Sequence, residues 1–194
     1  MSLEFKQLAI QYKDELFMNV IPFWEKHSID TQHGGYLTCL DREGNVFDTD
    51  KFIWLQGRQV WMFSSLYNRV EKRPEWLQTA LHGAEFLQKY GQDENGNFYF
   101  SLNREGKPLV KPYNIFSDCF ATIAFAQLSK ATGNDEYAHL AKTTFDNILK
   151  RSINPKGIYN KTISETRGLK GFSLPMILCN LSLIMEDLLG TEQV

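Results

Sequence analysis

The sequence lacks an uninterrupted apolar run of the length that a membrane span needs. Its two longest apolar stretches, 53–66 and 172–189, are broken by polar side chains such as Arg58 and Glu186. A helix that crosses a bilayer needs about 20 consecutive, predominantly apolar residues. The first eight residues are polar and amphipathic and have no apolar leader core. We therefore expect neither a membrane segment nor a secretory leader.

An excess of one charge is also missing. The 194 residues carry 21 basic and 23 acidic side chains, which gives a formal net charge of -2, and the Lys and Arg residues do not cluster. Binding to a phosphate backbone needs a basic surface. We therefore expect no nucleic-acid partner.

Cysteine is scarce. The three cysteines, Cys39, Cys119 and Cys179, are odd in number, far apart and not at the spacing of metal ligands. Free thiols of this kind are typical of a reducing compartment. The sequence thus predicts reduced cysteines in a cytoplasmic protein, with no metal and no other cofactor.

Helical periodicity is what the chain has in abundance. It predicts helices over 3–27, 51–70, 75–92, 117–131, 136–150 and 174–189, with Gly133 and Gly190 as helix ends. Hydrophobic residues make up 43% of the chain, which is enough for one core of good size. We expect a single domain over residues 1–194.

Two glycine-containing stretches, Gly34–Val46 and Gly96–Pro108, interrupt the helices and predict short β-hairpins. Leu40–Gly44 aligns with Leu102–Gly106, and each hairpin follows one helix and precedes another. Such a repeat must stack on its neighbours to bury its apolar face. It predicts an all-α, α/α toroid of helical hairpins, with three of the six pairs of a closed ring and the β-hairpins at one end. An open ring exposes apolar edges, so a homodimer that covers them is expected.

A family resemblance enters at the string Trp54-Leu55-Gln56-Gly57-Arg58-Gln59-Val60-Trp61. Together with 23–28, 33–36, 115–120 and 175–180, in this order, it resembles the N-terminal half of the N-acylglucosamine 2-epimerase family, also called renin-binding proteins. The resemblance implies half of an (α/α)6 barrel and an amino-sugar substrate, with interconversion of N-acetylglucosamine and N-acetylmannosamine. The family's two catalytic histidines belong to its C-terminal half and are not matched here, so we expect the isolated chain to be inactive.

Epimerisation at C2 removes a proton next to a carbonyl and returns it to the opposite face, which needs a base on each side and a donor for the enediolate oxygen. Arg58 shares a helix face with Trp54 and Trp61 at spacings i, i+4 and i+7. We predict that Arg58, held between the two indoles, stabilises the enediolate and that Trp54 and Trp61 wall the substrate site. The alternative is an arginine that extends from a seam between helices.

Four more residues are candidates for the substrate site, each with a structural alternative. Lys170 lines the cavity or is solvated, Tyr36 forms a wall or packs the hairpin, and Phe116 forms a wall or joins the core. Ser117 binds sugar or caps its helix. Gln56 and Gln59 lie on neighbouring helix faces, and the sequence does not decide which of them points inward.

Two other functions stay open. One is a related disaccharide 2-epimerase; the other is a non-catalytic chain, either a truncated product or a half-barrel that assembles with another chain. A glycosidase needs two acids that face each other across the cavity. Asp48, Asp118 and Glu165 are the only acids near the expected cavity edges, and none belongs to a hydrolase motif.

Overall fold

The computed structural model describes residues 3–154, 163, 165–166, 168 and 171–190. Helices and short strands alternate along the chain. The helices are α1 (Leu3–Glu15), α2 (Ile21–His27), α3 (Ile53–Arg69), α4 (Pro74–Tyr90), α5 (Phe116–Thr132), α6 (Asp135–Arg151) and α7 (Ser173–Leu189). The strands are β1 (Cys39–Leu40), β2 (Val46–Asp48), β3 (Lys51–Phe52), β4 (Ser101–Leu102) and β5 (Pro108–Val110).

The predicted helices form, with two differences in detail. The first predicted helix is divided, because a π-helical segment, Leu16–Val20, separates α1 from α2. The second begins at Ile53 rather than at Lys51, because Lys51 and Phe52 pair with Leu102 and Ser101 as strand β3. Strand β3 therefore joins the second hairpin, β4–β5, to the start of α3.

The helices form two layers. Helices α3, α5 and α7 make the inner layer, α4 packs against α3, and α6 packs against α5. Gly57 allows the close approach of α3 and α5, because a Cβ atom at this position would lie 2.8 Å from the carbonyl carbon and oxygen of Phe120. Side chains of both layers fill the core, among them Val60, Phe63, Trp76, Leu87, Phe125 and Ile148.

The three inner helices run parallel. Near their C-terminal ends, Asn68 of α3 donates a hydrogen bond to the Gln127 carbonyl of α5 at 2.9 Å. Lys130 of α5 forms an ion pair with Asp187 of α7. All three helices therefore begin at the end of the molecule that carries the hairpins, which is the arrangement that the repeat predicts.

The two hairpin turns are built alike. The Asp41 side chain accepts hydrogen bonds from the backbone N–H groups of Glu43 and Asn45. The Asn103 side chain accepts hydrogen bonds from those of Glu105 and Lys107 in the same way. Gly44 and Gly106 have φ values of +86° and +90°, which only glycine adopts without strain. The repeat read from the sequence thus extends to individual hydrogen bonds.

A buried cluster of charges ties the first hairpin region to the second. Lys51 Nζ lies 2.9 Å from Asp30 Oδ2, and both side chains are fully buried. Arg104, from the second hairpin, donates to both Asp30 oxygens at 2.9 and 3.1 Å. Burial alone would raise the pKa of Asp30, but the hydrogen bonds from Arg104 and Lys51 hold this pKa well below its usual range.

Each hairpin region is also fastened to an inner helix by a polar side chain. The Gln56 side chain of α3 accepts a hydrogen bond from the Tyr36 N–H at 2.8 Å and donates one to the Tyr36 carbonyl at 2.9 Å. Asp118 of α5 accepts the Phe98 N–H at 3.2 Å across the same separation of 20 residues. The second oxygen of Asp118 is buried and has no hydrogen-bond partner among the described residues. Burial raises the pKa of Asp118 to about 6, although Arg151 at 3.1 Å works against this rise.

Replacement of Asp118 by Asn is therefore expected to stabilise the protein increasingly as the pH rises. Between the ordinary pKa of 3.8 and about 6, the folded protein holds a proton on Asp118 that the unfolded chain has lost. The wild type consequently loses stability as the pH rises through this window, and the neutral amide does not. We expect the stability of Asp118→Asn relative to wild type to rise by roughly 1–3 kcal/mol between pH 4 and pH 7, measured by urea unfolding. Asp146→Asn, at an exposed site on α6, is the matched control; a relative stability of Asp118→Asn that stays flat across the window would contradict this account.

Candidate functional site

Arg58 lies near the N-terminal end of α3 and presents an exposed side chain. Its guanidinium carbon stands 5.3 Å from the centre of the Phe120 ring, on the neighbouring inner helix. The Trp54 ring also contacts Phe120, with 6.2 Å between ring centres. Arg58, Trp54 and Phe120 therefore form one cluster across the α3–α5 junction, on the surface that both helices present to the inside of the toroid.

The ring beneath Arg58 differs from the predicted one. We expected the guanidinium to lie between Trp54 and Trp61, whereas Phe120 is the described ring over which it lies. The reason is the close approach at Gly57, which brings α5 beside α3 at this level. Phe120 occupies in α5 the place that Arg58 occupies in α3.

No carboxylate among the described residues forms an ion pair with Arg58. Because the Arg58 side chain is exposed, the donors of its guanidinium are accessible to a ligand. An aromatic face beneath a guanidinium restrains its plane and keeps water from one side. This arrangement can bind an oxygen that carries partial or full negative charge.

A cleft of about 250 Å³ opens beside Arg58, between α2 and α3. Its walls are mostly apolar, and its polar groups are few. The Thr38 hydroxyl is buried there and has no hydrogen-bond partner among the described residues, and the Gln59 amide donates to the Ser28 hydroxyl. A mostly apolar cleft with a few convergent polar groups is typical of small-molecule sites. The lining residues are Trp24, Thr38, Leu55, Arg58, Gln59, Trp61 and Met62.

The remaining predicted site residues lie in different surroundings. Tyr36 is fully buried, and its hydroxyl donates to the Thr79 carbonyl at 2.6 Å, so the structure places it in the core and not on a cavity wall. Burial raises the pKa of Tyr36 above its ordinary value. Phe116 is half-buried at the start of α5. Ser117 is buried and does not cap the helix, because Ile115 is the N-cap. Lys170 lies outside the described residues.

Sequence reasoning missed six residues of this region: Trp24, Thr38, Leu55, Gln59 as a lining residue, Met62 and Phe120. Trp24 lies in one of the segments that carry the family resemblance, and Thr38 lies two residues after the end of another. The internal repeat was the signal for Phe120, because a shift of about 62 residues along the sequence superimposes Arg58 on Phe120.

No histidine is among the described residues that line this cleft. Among the residues that the structure describes, no group of three or more His, Cys, Asp or Glu side chains can hold a metal ion. In the same described part of the chain, no helix is long and apolar enough to cross a bilayer. What the site offers is a cation, aromatic faces and a few hydrogen-bonding groups.

Comparison with solved structures identifies the fold. Cellobiose 2-epimerase from Bacillus thermoamylovorans superimposes with a TM-score of 0.82 at 23% identity, over 97% of this chain and 52% of that one. A D-mannose isomerase superimposes with a TM-score of 0.74 at 18% identity. The cellobiose 2-epimerases are (α/α)6 barrels, and this chain has the fold of about half of such a barrel. The predicted half toroid is confirmed.

The sequence profile of N-acylglucosamine 2-epimerase (GlcNAc 2-epimerase) matches residues 35–193, and the chain belongs to this family. The N-acylglucosamine 2-epimerase of Rattus norvegicus is 40% identical over 168 residues, and the cellobiose 2-epimerase of Dictyoglomus turgidum is 31% identical over 142. The first alignment covers 84% of this chain and 40% of the rat protein; the second covers 72% of this chain and 36% of the Dictyoglomus protein. The chain thus spans less than half the length of these relatives.

Proposed function

We propose that this chain supplies the sugar-binding, charge-stabilising half of a 2-epimerase that acts on an N-acylated amino sugar. The observation that carries the proposal is the guanidinium of Arg58, which has no carboxylate partner among the described residues and lies over Phe120 beside an aromatic cleft. In this function Arg58 binds the carbonyl oxygen of the open-chain sugar and stabilises the enediolate that forms when the C2 proton leaves. Trp54 and Trp61 restrict the access of water.

The acylated amino sugar is the proposed substrate in preference to a disaccharide. Identity to the N-acylglucosamine 2-epimerases is 38–40% over 84% of the chain, whereas identity to the cellobiose 2-epimerases is 28–31%. The cleft of about 250 Å³ beside Arg58 has room for a small apolar group such as an acyl chain, in contact with Trp24 and Met62. We place the protein in amino-sugar metabolism in the cytoplasm, where its three unpaired cysteines stay reduced.

The first test is binding of N-acetylmannosamine, followed by saturation-transfer NMR. Charge-assisted hydrogen bonds contribute about 1.5–3 kcal/mol each, so Arg58→Ala is expected to weaken binding at least tenfold. Arg73→Ala, at the start of α4 in the outer layer, is the matched control and is expected to bind like wild type. If the folded wild type does not bind the sugar, or if Arg58→Ala binds as tightly as wild type, the proposal is wrong.

The second measurement separates a catalytic chain from a non-catalytic one. In heavy water, loss of the C2 proton signal of N-acetylmannosamine reports removal of that proton by a base. The cleft has no histidine, so we expect binding without exchange above background for the chain by itself. Exchange above background that Arg58→Ala reduces would instead assign the whole reaction to this chain, assembled with itself. We also propose that the chain forms a homodimer that covers the open edges of the half toroid.

A further inference from the structure

The peptide of Tyr36 turns both of its hydrogen-bonding groups toward α3. Its neighbours make the pairing with residues 28–30: the Leu37 N–H donates at 2.6 Å and the Gly35 carbonyl accepts at 3.1 Å. In an antiparallel pair, the N–H and carbonyl of the residue between two such bonds point away from the paired segment. The Tyr36 groups therefore face the other side, where the Gln56 side chain bonds to both of them.

The peptide of Phe98 has the same arrangement in the second hairpin region. The Tyr99 N–H donates to residues 91–93 and the Asn97 carbonyl accepts from them, both at 2.9 Å. The N–H and carbonyl of Phe98 therefore point together to the opposite side, where Asp118 of α5 accepts the N–H at 3.2 Å. In the internal repeat, Phe98 takes the place of Tyr36 and Asp118 takes the place of Gln56.

One exchange of side-chain chemistry separates the two contacts. The Gln56 amide has an acceptor and a donor, so it matches both groups of a peptide. An ionised Asp118 has acceptors only and can bind the N–H of Phe98 but not its carbonyl. Its second oxygen, Oδ2, is buried and has no hydrogen-bond partner among the described residues. A buried, unpaired charged oxygen is costly, and one proton on Oδ2 would make it the missing donor.

Two other groups act on the Asp118 carboxyl. Arg151 of α6 donates to its Oδ1 at 3.1 Å and to the Asn114 carbonyl at 3.3 Å, and its charge favours ionisation. On α5 itself, burial raises the pKa of the Cys119 thiol to about 12, so this thiol stays neutral. The Arg151 side chain is 24% exposed whereas that of Asp118 is fully buried, so burial prevails and the pKa of Asp118 is raised to about 6.

We propose that Asp118 is a proton-dependent clamp on the second hairpin region. Its protonated form holds both groups of the Phe98 peptide, as Gln56 holds those of Tyr36. When the proton leaves Oδ2 for solvent, the carboxylate keeps the Phe98 N–H and the ion pair with Arg151 but loses the Phe98 carbonyl.

The consequence is a hairpin region whose attachment to α5 depends on pH. Below the pKa of Asp118 two hydrogen bonds hold segment 97–99 on the helix, and above it one remains. The segment is therefore expected to open more often as the pH rises. This inference is independent of the proposed sugar site, because neither Asp118 nor Phe98 lines the cleft beside Arg58.

Amide hydrogen exchange of the full chain, followed by NMR and corrected for the intrinsic rate at each pH, measures the opening. The closed clamp binds a proton with a pKa of about 6, and the open form has the ordinary pKa of 3.8. Protection of the Phe98 amide is therefore expected to fall at least about tenfold between pH 4 and pH 7. The Tyr36 amide is the internal control and should change less than about threefold. An equal fall at both amides, or none at Phe98, overturns the proposal.

Two reciprocal variants exchange the chemistry of the contacts. Asp118→Asn supplies a permanent donor, so protection of the Phe98 amide is expected to stay within about threefold from pH 4 to pH 7. Gln56→Glu places a carboxyl on the Tyr36 peptide and is expected to make its protection fall at least about tenfold over the same range. Asp146→Asn is the matched control and should behave like wild type. A folded Gln56→Glu without this pH dependence, or its persistence at Phe98 in Asp118→Asn, contradicts the clamp.

Infrared spectroscopy detects the proton itself and does not require Gln56→Glu to fold. With the aspartate carboxyl groups labelled with ¹³C, we expect wild type at pH 5 to show the C=O stretch of a hydrogen-bonded carboxylic acid that is absent at pH 8. The band should be missing from Asp118→Asn and present in Asp146→Asn. If folded wild type has no band at pH 5 that depends on Asp118, the proposed proton on Oδ2 is excluded.

Discussion

Lys51→Met is expected to lower the free energy of unfolding by about 3–5 kcal/mol, because it removes one of the two cations that pair with the buried Asp30 carboxylate, and the fully buried one. The ammonium of Lys51 donates to Asp30 and to the carbonyl groups of Gly34 and Arg104. The variant therefore loses its contacts to both hairpin regions at once. Arg104, whose side chain is 34% exposed, stays as the only described cation on Asp30.

Urea unfolding measures the loss, with Lys107→Met as the control. Lys107 also pairs with an acid, Glu105, but its side chain is 79% exposed, so its replacement should change stability by less than about 1 kcal/mol. Where Lys51→Met does not fold, Asp30→Asn/Lys51→Met keeps the prediction testable, since it also removes the buried negative charge. We expect the double variant to recover part of the loss; equal instability of the single and double variants would exclude the buried charge as the cause.

The helices of this fold were predictable because their signals are local. Apolar spacing identifies α3 to α7, and the φ of +68° at Gly133 ends α5 as expected for a helix-ending glycine. The hairpin turns were predictable for the same reason, since Asp41 and Asn103 bond only to residues of their own turns. The half toroid followed from the repeat, because units with one apolar face must stack.

Long-range pairs were not predictable from such signals. Lys51 is the clearest case. It was predicted to begin the helix over 51–70, yet it lies in strand β3 and pairs with Asp30, 21 residues away. Nothing local marks a lysine as fully buried, and lysines are mostly exposed. Tyr36 was ambiguous in the same way: its contacts are with Gln56 and Thr79, which the chain brings close only after α3 and α4 have packed.

In the candidate site, too, the local features were predictable and the long-range contacts were not. The face shared by Trp54, Arg58 and Trp61 follows from helix geometry, and all three lie at the toroid's inner surface or its cleft. The partner of Arg58 comes from another helix, and only the structure identifies it as Phe120. The roles of these residues in catalysis stay predictions until the variants are measured.

Tyr36→Ala is expected to lower the free energy of unfolding by about 3–5 kcal/mol. We expect this loss because Tyr36 has a structural role in the first hairpin region. Its ring is fully buried and packs directly on Gly83 of α4, while its hydroxyl is bonded to Thr79. Removal of the ring opens a cavity at the contact between α4 and the hairpin region. Tyr12→Ala, at a position on α1 that is 73% exposed, is the matched control and should change stability by less than about 0.5 kcal/mol.

A double-mutant cycle with Gly83 decides whether the ring or the hydroxyl carries the effect. Gly83→Ala in the wild type is expected to be destabilising, because the added Cβ would overlap the Tyr36 ring. In the Tyr36→Ala background the same methyl group enters the vacated space, so Gly83→Ala should there be neutral or stabilising. Tyr36→Phe removes only the hydroxyl and is expected to cost about 1 kcal/mol. If Tyr36→Phe is as damaging as Tyr36→Ala, and the effect of Gly83→Ala is the same in both backgrounds, the bond to Thr79 and not the packing of the ring holds the first hairpin region on α4.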